Sequence, residues 1–485
     1  MLELKAMKVK YILFCLLFIF TFSLNAKDFP QMEPLFAIED YLGTDTSSLK
    51  LTADQLFMIG LKFSECKEDS ESFKNCLAMF ERIKREVTSS DYKKMNTEEK
   101  GRAILKLLYR DYLKSYDFYQ TKIDAALETG VYNCVSSAVL YMAAAKSAGL
   151  DVRGQRTTAH AFCTVYDENG KKFDVETTNP YGFNPGSKEA IENEDNIKRY
   201  YVVPKKYYSK REEVNDRIFA GLIAGNLCSY YIADQNYFAA LPLGAARYTA
   251  ASDSRRDFDI IASNFVNLQS GSALDFSENV DWYTSFIDRW GMTDYLQKNM
   301  DNLFNNFISM CYNEKNYGLA VSGFERNKQY LTQKMLTKSE TSLVDILMAE
   351  RCEKLTPLNQ IEEIENFFKE DMFTSPAQEK RALSYLENSW LIYLGDYMSS
   401  SDYEGGYYKS IEAAERLPQS TKIKRMQKTF YDNCIAIIHN KFVKPANAGF
   451  FEEARQILME GLQKFPDDKT LKSDLAALNK MSTAD

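Results

Sequence analysis

Residues 130–141 read Gly130-Val131-Tyr132-Asn133-Cys134-Val135-Ser136-Ser137-Ala138-Val139-Leu140-Tyr141. Small and apolar residues dominate from Val135 onward, and the run predicts a helix over 135–148. Gly149 closes it, at the position after a helix end that favours a left-handed residue. Cys134 stands where this helix starts, just behind a Gly-containing loop. At such a start the unpaired N–H groups and the positive helix end favour a thiolate. The same N–H groups are placed to stabilise an oxyanion developing on an acyl substrate. Tyr132 and Asn133 are the candidates for a second oxyanion donor.

Outward from the helix, Ala161–Tyr166 and Lys172–Glu176 have strand character. Between them lies Asp167-Glu168-Asn169-Gly170, and Asn-Gly is a strong hairpin signal. A third strand-like run, Tyr200–Val203, precedes Pro204. His160 opens the first strand and Asp174 lies on the second. His160 is about twice as far from the turn as Asp174, so a bulge or a diagonal approach is needed to bring them together. If they meet, Cys134 is the nucleophile and His160 the general base and later acid. Asp174 then orients the ring and favours the imidazolium.

These elements resemble the transglutaminase-like cysteine superfamily in its bacterial core form. The positions that carry the likeness are Asn133-Cys134, Ala148-Gly149, Val152-Arg153, His160-Ala161-Phe162, and Asp174 with Thr177 and Thr178 nearby. The likeness covers roughly residues 100–205. It implies a papain-like thiol mechanism through an acyl-enzyme, with amide hydrolysis or acyl transfer to an amine as the reaction. Cys163, three residues beyond His160 on the same strand, is expected to face away into the core.

The rest of the chain reads as helix. Leu56, Ile59, Gly60 and Phe63 share one helical face, as do Ile104, Leu107, Leu108 and Tyr112. Beyond about Tyr207 the pattern resembles degenerate tetratricopeptide repeats, in which bulky residues on one helix face small ones on the next. Trp390, Tyr393, Tyr397, Gly406, Ala413 and Pro418 fit one repeat, and Ala454, Leu458, Gly461 and Pro466 fit another. Weaker matches run Phe304, Phe307, Cys311, Ala320, Phe324 and Leu227, Tyr230, Ala239, Leu243, Ala246. Tyr230–Tyr231 and Tyr407–Tyr408 read as helix-stack core, and His439 as structural. The charged pairs Lys198-Arg199 and Lys205-Lys206 read as solvated faces.

Composition agrees with long helices. The 485 residues include 21 Gly and 11 Pro, roughly half the usual share of these turn-formers. A net charge of −8 argues against nucleic acid as a partner. Two His residues leave no room for a His-rich metal site, and no G-x-G-x-x-G, P-loop, HExxH or G-x-S-x-G is present. Neither a metal nor a cofactor is expected. The start of the chain has the order of a secretory signal: Lys5, Lys8 and Lys10, an apolar run over Tyr11–Leu24, then Ala26. The run is short for a membrane span. Eight cysteines lie beyond it, without a C-x-x-C pair; Cys66 and Cys76 are close enough in sequence to pair.

The expected product is thus an exported bacterial-type protein, periplasmic or secreted, unless the first segment stays as an anchor. The expected fold class is α+β. A signal peptide over 1–26 is followed by a transglutaminase-like domain over 34–205, with its core over 100–205, and an α-helical, tetratricopeptide-like region over 206–485. The expected function is cysteine-dependent acyl transfer on peptide or isopeptide bonds through Cys134, His160 and Asp174. Its substrate is protein or peptide, with a protein partner held on the repeats. The alternative is a non-catalytic scaffold whose repeats mediate protein–protein interaction.

Overall fold

The computed structural model describes residues 28–184, 210–268 and 271–482. The signal-like segment, the run Tyr200–Val203, the pairs Lys198-Arg199 and Lys205-Lys206, and the expected domain boundary at 205/206 all lie outside the described residues. The chain forms two compact units. The first comprises Met1–Gln269 with Ser285–Leu296, and the second Ser270–Thr284 with Gln297–Asp485.

In the first unit, helices α1 (Ala53–Phe63), α2 (Glu71–Val87), α3 (Ser90–Lys94) and α4 (Thr97–Asp111) lead to the short strand β1 (Ser115–Tyr116). Then come α5 (Ile123–Glu128), β2 (Val131–Tyr132), α6 (Cys134–Ser147), β3 (Asp151–Arg156), β4 (Ala161–Tyr166) and β5 (Lys172–Val175). The strand β6 (Glu212–Val214) and helices α7 (Asp216–Ala233), α8 (Tyr237–Ala250) and α9 (Arg255–Leu268) follow. Strands β1 and β2 pair in parallel, and the other four form an antiparallel sheet in the order β5-β4-β3-β6.

Helix α6 is the centre of this unit. Every residue from Val135 to Ala145 is buried. Serines and alanines make that possible, because small side chains let the neighbouring helices α1, α2, α4, α5 and α7 and strands β3 and β4 pack around all sides of it. Gly149 takes the left-handed φ of 78° after its C-terminus, as expected. Lys146, near that end, pairs with Asp216 at 2.7 Å and donates to the Leu51 carbonyl at 2.9 Å. The starts of α1 and α7 are thereby fastened to one side chain.

The expected fold class is corrected by this arrangement. Helices dominate the described chain, and they supply most of the first unit as well as the second. The hairpin signal does produce β4 and β5, but among the described residues the sheet holds four short strands. The reason is that most apolar residues on either side of the sheet recur at helical spacing, so the small sheet is one component of a helical body. The polar strand β3, with Val152 as its single large aliphatic side chain, carried no clear strand signal. Helices α7 and α8 contain the repeat match Leu227, Tyr230, Ala239, Leu243, Ala246, and they belong to the first unit.

The second unit is a succession of helices joined by short connections, and from Pro357–Lys369 to Lys469–Met481 each packs on the next. Within it, Pro376–Ser399 and Tyr403–Arg416 form a pair whose core joins Ala382, Leu386, Trp390 and Leu394 to Ala413 and Phe430. Gly406 lies against the Phe430 ring so closely that a β-carbon there would overlap it. That close approach is why a small residue is needed at this point of the pair. His439, farther along, pairs with Asp474 at 2.7 Å.

Candidate active site

The site begins at the N-terminus of α6. Asn133 is its N-cap: its Oδ1 accepts from the Val135 and Ser136 N–H groups at 2.9 and 3.1 Å, and Ser136 Oγ accepts from the Asn133 N–H at 3.0 Å. This reciprocal cap fixes the chain's entry angle and so aims Cys134, the first helical residue. Two of the N-terminal N–H groups are occupied by the cap. Among the described residues nothing accepts from the Cys134 N–H, which leaves it as a donor for an oxyanion.

His160 precedes β4, and its carbonyl accepts from the Thr157 N–H at 2.8 Å, closing the tight link from β3. The ring is buried, hydrogen-bonded to Glu176, and close enough to Cys134 for that residue to raise its pKa. Its Nε2 lies 2.7 Å from Glu176 Oε2. Burial alone lowers the ring's pKa. The interactions with Cys134 and Glu176 act against it and prevail, so the ring is pushed up to about 10. The imidazolium is therefore the favoured form over the physiological range.

The carboxylate at His160 is Glu176, where the sequence pointed to Asp174. In the sheet Asp174 stands opposite Thr164, and Val175 opposite Cys163. Thr164 is four residues from His160, about 13 Å at ~3.3 Å per residue. No bulge shortens that distance. Asp174 instead accepts from Thr164 Oγ1 at 2.8 Å and pairs with Arg211, whose guanidinium also lies over the Phe162 ring. Glu176 is two residues nearer to His160 and has the same parity along the strand. That parity was legible in the sequence, and it admits both carboxylates.

Glu176 is itself held from several directions. Its Oε1 accepts from the Thr178 N–H at 3.1 Å and the Thr178 hydroxyl at 2.7 Å. The backbone around it is tied down as well. Tyr109 donates to the Thr177 carbonyl at 2.9 Å, and Thr177 Oγ1 lies 2.9 Å from Ser137 Oγ on α6. The Glu176 N–H donates to the Gly182 carbonyl at 2.8 Å. Gly182 packs onto the Glu176 backbone so tightly that a β-carbon there would overlap it. The two threonines noted in the sequence thus serve as supports for the carboxylate.

Both candidates for the second oxyanion donor are engaged in other hydrogen bonds. The Tyr132 hydroxyl is buried against the Tyr109 hydroxyl, at 2.9 Å. The Asn133 amide donates to the Phe118 carbonyl at 3.1 Å while its oxygen caps the helix. Tyr230, read from sequence as stack core, lies on α7 close enough for Cys134's negative charge to raise its hydroxyl pKa, after burial as the larger cause.

All eight described cysteines are free, Cys66 and Cys76 included. Seven are buried; Cys134 alone among them is partly exposed. Burial pushes the thiols of Cys76, Cys228 and Cys311 up to about 12 and those of Cys352 and Cys434 to about 11. Cys163 faces α6, with its sulfur 3.4 Å from the Ala138 carbonyl. Among the described residues no group of three His, Cys, Asp or Glu side chains is arranged to hold a metal ion, and no helix is long and apolar enough to cross a membrane.

No family model and no curated protein matches this chain. Among solved structures it is similar to the crystal structure of menin that reveals the binding site for Mixed Lineage Leukemia (MLL) protein. The TM-score is 0.34 at 11% identity, over 83% of this chain and 97% of that one. A likeness of this degree assigns neither a fold family nor a function.

Proposed function

We propose that the chain is a cysteine-dependent acyl-transfer enzyme acting on peptide or isopeptide bonds through Cys134, His160 and Glu176. The observation that carries this reading is the buried His160 held between a partly exposed helix-start thiol and a fixed carboxylate. In this reading Cys134 Sγ, as a thiolate beside the imidazolium, attacks the amide carbon. The carbonyl oxygen takes up the electron pair and is met by the free Cys134 N–H. Collapse of the adduct breaks the C–N bond, the amine leaves with the proton from His160, and a thioester remains. Water or a second amine then attacks the thioester, giving its proton to His160, and the thiolate departs. Glu176 orients the ring and favours its protonated form, the role that the superfamily resemblance assigned to Asp174.

The test is labelling with an iodoacetamide probe at sub-stoichiometric dose, followed by peptide mapping. The adduct is expected on Cys134, because the other described thiols are buried and hard to ionise. Equal labelling of Cys134→Ala would show that this thiol is not specially reactive. An unreactive Cys134 in the folded protein would leave the scaffold reading in its place.

A further inference from the structure

Beside Cys134 the loop between β1 and α5 presents aromatic rings to solvent. Phe118 is 60% and Tyr119 69% exposed, unusual for side chains that normally bury their area. They meet edge to face with centroids 5.3 Å apart, and Tyr119 meets Tyr230 of α7 in the same way at 5.5 Å. Edge-to-face packing leaves ring faces open, and those faces carry the negative part of the ring quadrupole.

The loop is held in place rather than hanging free. The Asp117 N–H donates to the Tyr132 carbonyl at 2.9 Å. The Phe118 carbonyl accepts from Asn133 Nδ2 at 3.1 Å and from the Tyr230 hydroxyl at 3.3 Å. Ser136 Oγ donates to the Gln120 carbonyl at 3.0 Å, and Asn226 Nδ2 to Thr121 Oγ1 at 3.1 Å. The same asparagine that caps the helix of Cys134 therefore fixes the aromatic loop. Asp117 brings a carboxylate to the cluster. Its Oδ1 accepts from the Tyr119 N–H at 2.9 Å, which leaves most of its accepting capacity unused. The Tyr230 hydroxyl is raised by burial first and then by negative charge at Cys134, Tyr119 and Asp117, so these groups share one neighbourhood.

We propose that Asp117, Phe118, Tyr119 and Tyr230 form a subsite beside Cys134 that binds a guanidinium-bearing side chain of the acyl-donor peptide. This rests on the acyl-transfer reading above and adds the donor's side-chain class to it. A planar guanidinium stacks on an aromatic face while donating a fork of N–H bonds to a carboxylate, a pairing that a compact ammonium or an alkyl chain does not match. The net charge of −8 favours a cationic ligand as well.

The probe pair is iodoacetyl-Gly-Arg-amide and iodoacetyl-Gly-citrulline-amide, since citrulline keeps the shape and loses the charge. On the full chain the arginine probe is expected to alkylate Cys134 about tenfold faster, from the usual strength of a cation–π contact. In Tyr119→Ala, a substitution at an exposed ring, the ratio is expected to fall to within about twofold, again on the strength of that lost contact. Equal rates for the two probes, or a ratio that survives Tyr119→Ala, would overturn the subsite. Fluorescence polarisation of fluorescein-Gly-Arg-amide and its citrulline twin on Cys134→Ala needs no thiol. Preference for arginine there supports the subsite even if Cys134 proves unreactive, and equal binding refutes it even if Cys134 reacts.

Discussion

Glu176→Gln tests which carboxylate serves the candidate site. The change keeps the side chain's shape and a hydrogen-bonding oxygen, and removes one charge 2.7 Å from His160 Nε2. His160 sits at about 10, well above its ordinary 6.5, because contacts with Cys134 and Glu176 outweigh the burial that opposes its charge. Losing one charge-assisted hydrogen bond costs about 1.5–3 kcal/mol. At ~1.4 kcal/mol per factor of ten, the ring's affinity for its proton should fall about 10- to 100-fold. The assay is the second-order rate of Cys134 alkylation by iodoacetamide from pH 6 to 9. In the parent chain His160 keeps its proton across that window. In the variant the ring loses it within the window, so the deficit should open as pH rises above neutrality. It should narrow as pH passes about 8.5, where an ordinary thiol ionises without help. Asp174→Asn should change little, because Asp174 is engaged with Thr164 and Arg211. A Glu176→Gln rate within threefold of the parent at pH 8 would refute the argument, and so would an equal loss in Asp174→Asn.

Stability should follow the same residue. His160 has a folded pKa raised from 6.5 to about 10, so its contribution is complete below about 6.5 and disappears as pH rises through about 10. Thermal melts between pH 6 and 10 should show a decline that Glu176→Gln flattens; parallel curves for the two proteins would count against the linkage. Gly182→Ala should push the Glu176 backbone aside and reduce Cys134 alkylation as Glu176→Gln does, with the circular-dichroism spectrum of the folded chain retained. In the second unit, Gly406→Ala should destabilise by about 1–3 kcal/mol through overlap with Phe430. Its chemical denaturation midpoint should fall while Cys134 alkylation stays at the parent rate.

Much of the local structure was legible in the sequence. The helix over 135–148 closed by Gly149, the hairpin strands beside Asn169-Gly170 and the small-against-large packing at Gly406 all follow from short-range rules of capping, turn geometry and steric size. The order of Cys134 and His160, one at a helix start and one before a strand, could also be read there. The fold class could not. Whether a four-stranded sheet defines a domain or is enclosed in helices depends on what packs around it, and the buried all-round surface of α6 is satisfied by segments scattered from Leu51 to Ala233.

The third member of the candidate site was decided the same way. Asp174 and Glu176 share a strand parity, and local rules do not choose between two carboxylates on one face. The choice came from the register of β4 against β5, which sets Asp174 opposite Thr164, and from a tertiary scaffold of Tyr109, Ser137, Thr178 and Gly182 that holds Glu176 at the ring. Register and scaffold are properties of contacts between distant segments, so only the folded chain contains them. The sequence by itself determined which residue types were present and the helix start that presents Cys134. The tertiary structure decided which charge meets His160, since that depends on distances no single segment sets.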